Sequence, residues 1–269
     1  MKDYAVILAA DLPSPEEVLS VVTKVGPVVD GIKVAAATLV QSGAGIIGKI
    51  RDLIEDKPLL VDLKVADIGF LSQRGWYGTN SKVIHGLGGS GATHVTVHGF
   101  PGPVSIAEAV GSAHDVGIGV LLLPLMSHAG AGLFFSAPLS SSRLIEETKK
   151  AGLKVSLQHE VRCATVMESI LILGEALSVF GFIGPATRPA DLVRYRDLTA
   201  RPIWCPGFGR QYRLGRDLMQ QFRDWAQVVW PASAAIVGSV IFNAADPVKA
   251  ASEVVEIRDR AVQGLVGQG

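Results

Sequence analysis

The feature that most constrains this chain is a regular alternation of two kinds of segment. Short runs of apolar and β-branched residues occur eight times, at 4–10, 31–36, 58–63, 94–98, 119–125, 180–183, 202–205 and 234–237. Between most of them lie amphipathic stretches of helical period with acidic or Ser/Pro starts, such as Ser14-Pro15-Glu16-Glu17. This alternation predicts parallel strands connected by helices.

Eight such units in 269 residues are typical of a (β/α)8 TIM barrel, an α/β fold, and a doubly wound sheet is the alternative. We expect one barrel domain spanning 1–269, because no low-complexity linker divides the chain. Two intervals are too long for one crossover, which predicts insertions after strand 3, at 69–78, and after strand 5, at about 135–163. The second contains a predicted helix at 143–151 and a possible extra strand at 154–157.

Composition excludes several classes of partner. The 25 basic and 25 acidic residues balance, with no basic block that would follow a nucleic-acid backbone. No apolar run approaches the ~20 residues of a membrane helix, and the apolar run at 4–10 is predicted to be the first strand rather than a signal peptide. Cys163 and Cys205 cannot form a disulfide framework, which favours a reducing compartment, the cytoplasm.

Charged residues occur at the ends of the first three predicted strands. Asp62 and Lys64 are two residues apart and so share one face of the third strand, with Cα atoms about 6.6 Å apart. Lys33 lies in the second strand, Asp11 ends the first, and Asp67 follows just beyond the third. In a barrel these ends meet at the mouth where active sites are built. A Lys beside carboxylates stays an ammonium, which makes Lys64 a positioned proton donor; a structural ion pair is the alternative for Asp62 and Lys64 alone.

These residues belong to a longer set of motifs. The further motifs are Leu-Ala-Ala-Asp-Leu at 8–12, Ile-Lys at 32–33, Val-His-Gly-Phe-Pro-Gly at 97–102, Met-Ser-His-Ala-Gly-Ala at 126–131, Gly-Pro-Ala-Thr-Arg-Pro at 184–189, Pro-Gly-Phe-Gly-Arg-Gln at 206–211 and Ile-Val-Gly at 236–238. With the Asp-x-Lys-x-x-Asp signature at Asp62, Lys64 and Asp67, the chain resembles the orotidine 5'-phosphate decarboxylase family, in particular its compact archaeal type. The signature alone is shared with a sister group of sugar-phosphate enzymes.

The resemblance implies decarboxylation of orotidine 5'-phosphate to uridine 5'-phosphate without metal or organic cofactor. Lys64 would protonate the pyrimidine carbon that loses carbon dioxide, in a charged network with Asp62, Asp67 and Lys33. A fixed ammonium is a suitable stabiliser for the carbanion that forms there. The resemblance also implies a homodimer in which Asp67 and Thr79 are donated across the interface.

The resemblance further implies a set of substrate-binding residues. Those for the ribose are Asp11, Lys33 and Thr79; those for the pyrimidine are Ser127 and Pro206; those for the phosphate are Gln211 and the backbone N–H groups of Gly238 and Ser239.

The chain departs from the family pattern at three places. The family has an Arg that grips the phosphate where this chain has Ser239, and Arg210 is the preferred substitute, with Arg213 as the alternative. Thr79 follows the signature at an unusual distance, so either Thr79-Asn80 is still the family's Thr-Asn or the loop has lost that contact. The segment 135–163 has no recognised counterpart.

The sequence leaves two other functions open. A metal-dependent sugar-phosphate lyase or synthase would share the signature, but that group carries an acidic residue in place of Lys33. A non-catalytic nucleotide-binding barrel is suggested by Ser239 and the longer segment before Thr79. A dinucleotide fingerprint at Gly43, Gly45 and Gly48 would leave the later motifs unexplained.

The His94/His98 pair and Trp76 could be mistaken for parts of a ligand site, but each has a simpler explanation. His94 and His98 would lie about 13 Å apart in a strand, which excludes a shared metal. Trp76, in the inserted segment, is predicted to be an interface residue.

Overall fold

The computed structural model describes residues 2–70, 78–139, 141–150, 165–209 and 217–266. Its parallel strands are β1 (Ala5–Ala9), β2 (Gly31–Ala35), β3 (Leu59–Val65), β4 (His94–His98), β5 (Gly119–Leu123), β6 (Gly181–Ile183), β7 (Ile203–Pro206) and β8 (Ala234–Val237). They form a closed barrel in chain order, in which β1 pairs with both β2 and β8. The predicted (β/α)8 barrel is confirmed, and the doubly wound sheet is excluded.

The helices between the strands form the outer layer. They are α1 (Pro15–Val25), α2 (Ala36–Ser42), α3 (Gly45–Ile54), α4 (Thr79–His85), α5 (Pro103–Asp115), α6 (Gly132–Phe135), α7 (Ser141–Lys150), α8 (Val166–Ala176), α9 (Pro189–Leu198), α10 (Leu218–Ala226), α11 (Ser239–Phe242) and α12 (Pro247–Val266). Within the described ranges, none is long and apolar enough to cross a membrane.

The helices also test two sequence-based expectations, the insertion after strand 5 and the dinucleotide fingerprint at Gly43, Gly45 and Gly48. Helix α7 occupies the insertion after β5 where a helix was predicted, whereas the possible strand at 154–157 lies outside the described residues. Gly43 ends α2 and precedes α3, so no strand leads into the glycines as a dinucleotide fingerprint requires.

The apolar strand sequences reflect burial on both faces. In β1, Ala5, Ile7 and Ala9 pack inside the barrel, while Val6 and Leu8 pack outward against the helices. Because parallel strands in a barrel are covered on both sides, their sequences are nearly continuous apolar runs instead of alternating ones. Charged residues inside such strands are therefore exceptions that need a partner.

The helix starts predicted from the sequence are confirmed at α1. Ser14 accepts a hydrogen bond from the backbone N–H of Glu17, and the Glu17 carboxylate accepts one from the backbone N–H of Ser14. This reciprocal capping satisfies two N–H groups that would otherwise lack partners at the helix end. It fixes the point where the chain leaves β1 and turns outward.

Strand β4 carries polar side chains on one face. His94, Thr96 and His98 alternate with the outward-facing Val95 and Val97. The two histidines lie at opposite ends of the strand, in agreement with the prediction that they do not share a metal. Burial lowers the pKa of His94 to about 4. Burial, together with the charge of Lys64, lowers the pKa of His98 to about 4.

We expect the free energy of unfolding to fall as the pH falls from about 6.5 to about 4. In that window the unfolded chain binds protons that the folded histidines do not, and His94 contributes a loss of about 3 kcal/mol. Urea unfolding at a series of pH values measures the slope. His94→Phe, which retains an aromatic ring against Phe180 and Trp204, should reduce the slope by about one proton. An unchanged slope would contradict the assignment.

Candidate active site

A cavity of about 380 Å³ opens at the carboxyl ends of the strands. Its polar lining comes mainly from Asp11, just after β1, and from Lys33, Asp62, Lys64 and Thr96 on β2, β3 and β4. Residues at the ends of the other four strands complete the wall. This is the end of a TIM barrel at which active sites are found.

The charged residues of the first three strands form an alternating row. Lys33 Nζ lies 2.9 and 2.8 Å from the carboxylate oxygens of Asp11 and 3.4 Å from Oδ2 of Asp62. Lys64 Nζ lies 2.8 Å from both carboxylate oxygens of Asp62. The sequence-based expectation that these four residues converge is therefore confirmed. The row brings two ammonium groups into one cavity, each held by a carboxylate.

Asp62 is the centre of this row. Burial alone would raise the pKa of Asp62, but the charges of Lys33 and Lys64 and hydrogen bonds from Lys64 and Thr96 outweigh that effect and hold the pKa below its usual value. Asp62 therefore stays a carboxylate and keeps both lysines oriented.

Asp67 and Thr79 do not join the row. Both residues are exposed, and neither lines the cavity. The Asp67 carboxylate accepts the backbone N–H of Ile68 at 2.7 Å. Thr79 is the first residue of α4. The two residues that the resemblance assigns to a neighbouring subunit therefore lie outside the cavity lining of their own chain.

A buried polar network holds the backbone of Asp67. The Asn80 side chain accepts the Asp67 N–H at 3.0 Å and donates to the Asp67 carbonyl at 3.1 Å. Ser105 Oγ donates to the same carbonyl at 2.6 Å. Glu108 accepts an N–H from Asn80 at 3.3 Å. Asn80 therefore remains in direct contact with the signature segment despite the longer separation in sequence.

Glu108 also joins the two ends of the insertion after β3. Its carboxylate accepts the backbone N–H of Phe70 at 3.2 Å and that of Gly78 at 2.5 Å. A side chain at Gly78 would collide with this carboxylate, so only glycine allows the close approach. Residues 71–77, with Trp76 among them, lie outside the described residues.

The remaining predicted binding residues fall into two groups. Ser127, Pro206, Gly238 and Ser239 line the cavity, at the ends of β5, β7 and β8. Arg210, Gln211 and Arg213 lie outside the described residues. The last described residue before them is Gly209, where a Cβ would collide with the Val240 side chain. The chain therefore leaves β7 against Val240, the residue that follows Ser239.

Among the described polar residues that contribute to the site, three were not predicted from the sequence. Thr96 lines the cavity, and Ser105 and Glu108 act through the buried network. A signal for Thr96 is present in the sequence His-Val-Thr-Val-His, where polar residues alternate on one face of a strand. No comparable signal exists for Ser105 and Glu108, because they lie on a helix that packs on a loop.

Comparison with known proteins finds relatives that match almost the whole chain. The orotidine 5'-phosphate decarboxylase of Methanosarcina barkeri is 28% identical over 255 residues, which cover 94% of each chain. That of Methanocaldococcus jannaschii is 26% identical over 254 residues, covering 94% of this chain and 98% of the relative.

Solved structures show the same fold. The crystal structure of orotidine 5'-monophosphate decarboxylase from Methanocaldococcus jannaschii complexed with inhibitor BMP matches with a TM-score of 0.73 and 24% identity, covering 96% of this chain and 99% of that chain. The orotidine 5'-phosphate decarboxylase from Pyrococcus horikoshii matches with a TM-score of 0.69 and 24% identity, covering 94% and 99%. At these identities the structural likeness establishes the barrel fold.

The family comparison extends over almost the whole barrel. The sequence model described as the orotidine 5'-phosphate decarboxylase / HUMPS family matches residues 4–254, from the start of β1 into α12. This chain therefore belongs to the orotidine 5'-phosphate decarboxylase / HUMPS family.

Proposed function

We propose that the chain decarboxylates orotidine 5'-phosphate to uridine 5'-phosphate, the last step of pyrimidine nucleotide synthesis, without metal or organic cofactor. The observation that carries the proposal is the alternating row of Asp11, Lys33, Asp62 and Lys64 in the barrel cavity. The curated relatives of this chain are named for the same reaction.

The row supplies what the reaction needs. When the bond between C6 and the carboxylate breaks, the electron pair stays on C6 as a carbanion that the pyrimidine ring does not delocalise. The Lys64 ammonium stabilises this charge and transfers a proton to C6, and solvent then returns a proton to Lys64. The Lys64 side chain is 40% exposed in the open cavity, so it reaches both substrate and solvent. Asp67 beside the leaving carboxylate would add repulsion, to which we assign a secondary share.

The same row disfavours the metal-dependent sugar-phosphate reaction. Both oxygens of Asp62 already accept hydrogen bonds from Lys64, and Lys33 holds both oxygens of Asp11. Two ammonium groups so close to these carboxylates would repel a divalent cation. The row of charges in the cavity also includes Lys64 as a proton donor. This supports a catalyst over a non-catalytic nucleotide-binding barrel.

The substrate contacts follow the same proposal. Asp11 and Lys33 bind the ribose, Ser127 and Pro206 contact the pyrimidine, and the phosphate lies beside Gly238 and Ser239 after β8. All six residues line the cavity. Phosphates usually bind near the last two strands of such barrels. Gln211 and Arg210 complete the phosphate contacts in this proposal.

We further propose that a second copy of the chain completes each site with its Asp67 and Thr79. Large apolar side chains are exposed on the segments that follow β3, β4 and β5, namely Ile68, Phe70, Phe100, Leu133 and Phe134. Because β3, β4 and β5 are neighbours in the barrel, these exposed side chains favour an interaction site on this side of the molecule. Asp67 and Thr79 also lie in the part of the chain that follows β3.

A cytoplasmic location is part of the proposal. Cys205 is a free cysteine buried in β7, and burial raises the pKa of its thiol, so it stays protonated and unreactive. A free thiol in the core suits a reducing compartment.

The purified protein should consume orotidine 5'-phosphate in EDTA, followed by loss of substrate absorbance. Lys64→Ala should bind the product but lose turnover by about four powers of ten, since charge stabilisation and proton transfer each contribute on the order of 100-fold. Lys24→Ala, which removes an exposed lysine of α1, is the matched control and should retain full activity. Near-normal turnover by Lys64→Ala would contradict its role, and a requirement for metal would favour the sugar-phosphate reaction.

Mixing inactive Lys64→Ala chains with inactive Asp67→Ala chains should restore activity. A hybrid dimer has one site with both native residues and one site with both substitutions, so an equal mixture should recover about a quarter of native activity. Each variant mixed with itself is the control. Absence of recovery after verified subunit exchange would show that each site is built from one chain.

Arg210→Ala should weaken the binding of uridine 5'-phosphate about 10- to 100-fold and leave uridine almost unaffected, because a charge-assisted hydrogen bond to phosphate is lost. Ser239→Arg in the same chain should recover most of the loss. Calorimetric titration with both ligands measures the difference, and Arg213→Ala is the matched control. Equal weakening of both ligands by Arg210→Ala would assign the phosphate to Arg213 or to backbone N–H groups.

A further inference from the structure

Strand β3 contains a bulge at the reactive lysine. Val61 pairs with Val95 and Val65 pairs with Val97, so three residues of β3, at 62–64, stand opposite the single residue Thr96 of β4. Lys64 lies in the left-handed region with φ +51°, which is unfavourable for a side chain of its size. Such a conformation persists only where neighbouring groups hold it.

The Thr96 hydroxyl provides that hold. Its Oγ1 accepts the backbone N–H of Lys64 at 2.8 Å, and it donates to Oδ1 of Asp62 at 2.8 Å. Because the Asp62 carboxylate can only accept, the hydroxyl hydrogen is directed to Asp62, and a lone pair of the same oxygen accepts the Lys64 N–H. Thr96 is 1% exposed, and a β-branched side chain in a strand has few accessible rotamers. One hydroxyl therefore fixes both the backbone of Lys64 and the carboxylate that orients its side chain.

We propose that Thr96 is a positioning residue for proton transfer, a role that rests on the proposed decarboxylation. Thr96 keeps Lys64 in the bulged backbone conformation that aims its Nζ into the cavity. It also keeps Asp62 in place while the Lys64 ammonium moves from Asp62 to the reacting carbon.

The hydrogen bonds around Asp62 support the second part of this role. Oδ2 of Asp62 accepts from Lys64 at 2.8 Å and also lies 3.4 Å from Lys33 Nζ. Oδ1 accepts from Lys64 and from Thr96, each at 2.8 Å. When Lys64 turns to the substrate, each oxygen of Asp62 still has one donor. Without the Thr96 hydroxyl, Oδ1 would lose its last donor among these groups at the moment of reaction.

The chain offers a matched control on the same strand pair. Thr93 Oγ1 accepts the backbone N–H of Leu59 at 2.8 Å, so Thr93 and Thr96 both bind a β3 amide through a hydroxyl. Thr93 lies at the opposite end of the strands from the cavity and does not line it. Loss of either hydroxyl removes a similar contact, but only Thr96 connects to Lys64 and Asp62.

The test compares Thr96→Val, Thr96→Ser and Thr93→Val with the native protein. Thr96→Val should lower kcat for orotidine 5'-phosphate about 10- to 100-fold, the size expected for a lost hydrogen bond to a charged group. KM and the affinity for uridine 5'-phosphate should change less than about threefold, because the lost interaction acts mainly in the transition state. Thr96→Ser should restore most of kcat, and Thr93→Val should lower thermal stability with kcat unchanged.

The possible outcomes distinguish the positioning role of Thr96 from the proposed function. A native protein that does not turn over orotidine 5'-phosphate contradicts the proposed function. Native turnover together with equal kcat in Thr96→Val contradicts the positioning role alone. A crystal structure of Thr96→Val that retains the left-handed Lys64 and its contact with Asp62 also contradicts that role, whatever the activity.

Discussion

The alternating charges of Asp11, Lys33, Asp62 and Lys64 are the interaction on which the site depends. The Lys33 side chain is 9% exposed and that of Asp62 is 13% exposed, and an isolated charge at such a position would be strongly unfavourable. Each is tolerated because a group of opposite sign lies on the adjacent strand. This requires β1, β2 and β3 to be neighbours in a fixed register, with Lys33 opposite Ala9 and Asp62 opposite Ala35. Removal of Asp62 would leave Lys64 without its carboxylate partner and Lys33 with Asp11 alone.

The loops after the strands also contribute residues to the site. Because both ends of the insertion after β3 are fixed by hydrogen bonds, the insertion disturbs the site little. The backbone of Asp67 is held on both sides by Asn80, and the ends of the following insertion, Phe70 and Gly78, are joined through Glu108. Loop closure costs little more when a loop is lengthened by a few residues. A longer segment between two fixed ends is therefore compatible with an unchanged position of Asp67 relative to α4.

The sequence predicts those parts of the site whose functional residues lie at the ends of recognisable strands. The eight strands and the convergence of Asp11, Lys33, Asp62 and Lys64 were predicted because an apolar run ending in a charge has one plausible place in a barrel. The left-handed Lys64 could not be predicted, since it depends on the register between β3 and β4 and not on neighbouring residues. The same holds for the carboxylate of Glu108, which is separated by 38 residues from the amide of Phe70 that it binds.

The two ends of the cavity differ in how precisely a functional group must be positioned. At the reacting carbon, proton transfer needs a donor within hydrogen-bond distance and correctly aimed, and here Lys64 is held by reciprocal contacts on two strands. At the phosphate end, a dianion is attracted by any nearby cation or backbone N–H. Gly207 and Gly209, both at positive φ, carry the chain out of β7 beside Val240. Because the described end of this segment lies against Val240, the residue after Ser239, we expect the cation for the phosphate to come from the segment after β7 instead of from β8. No such exchange is available for Lys64.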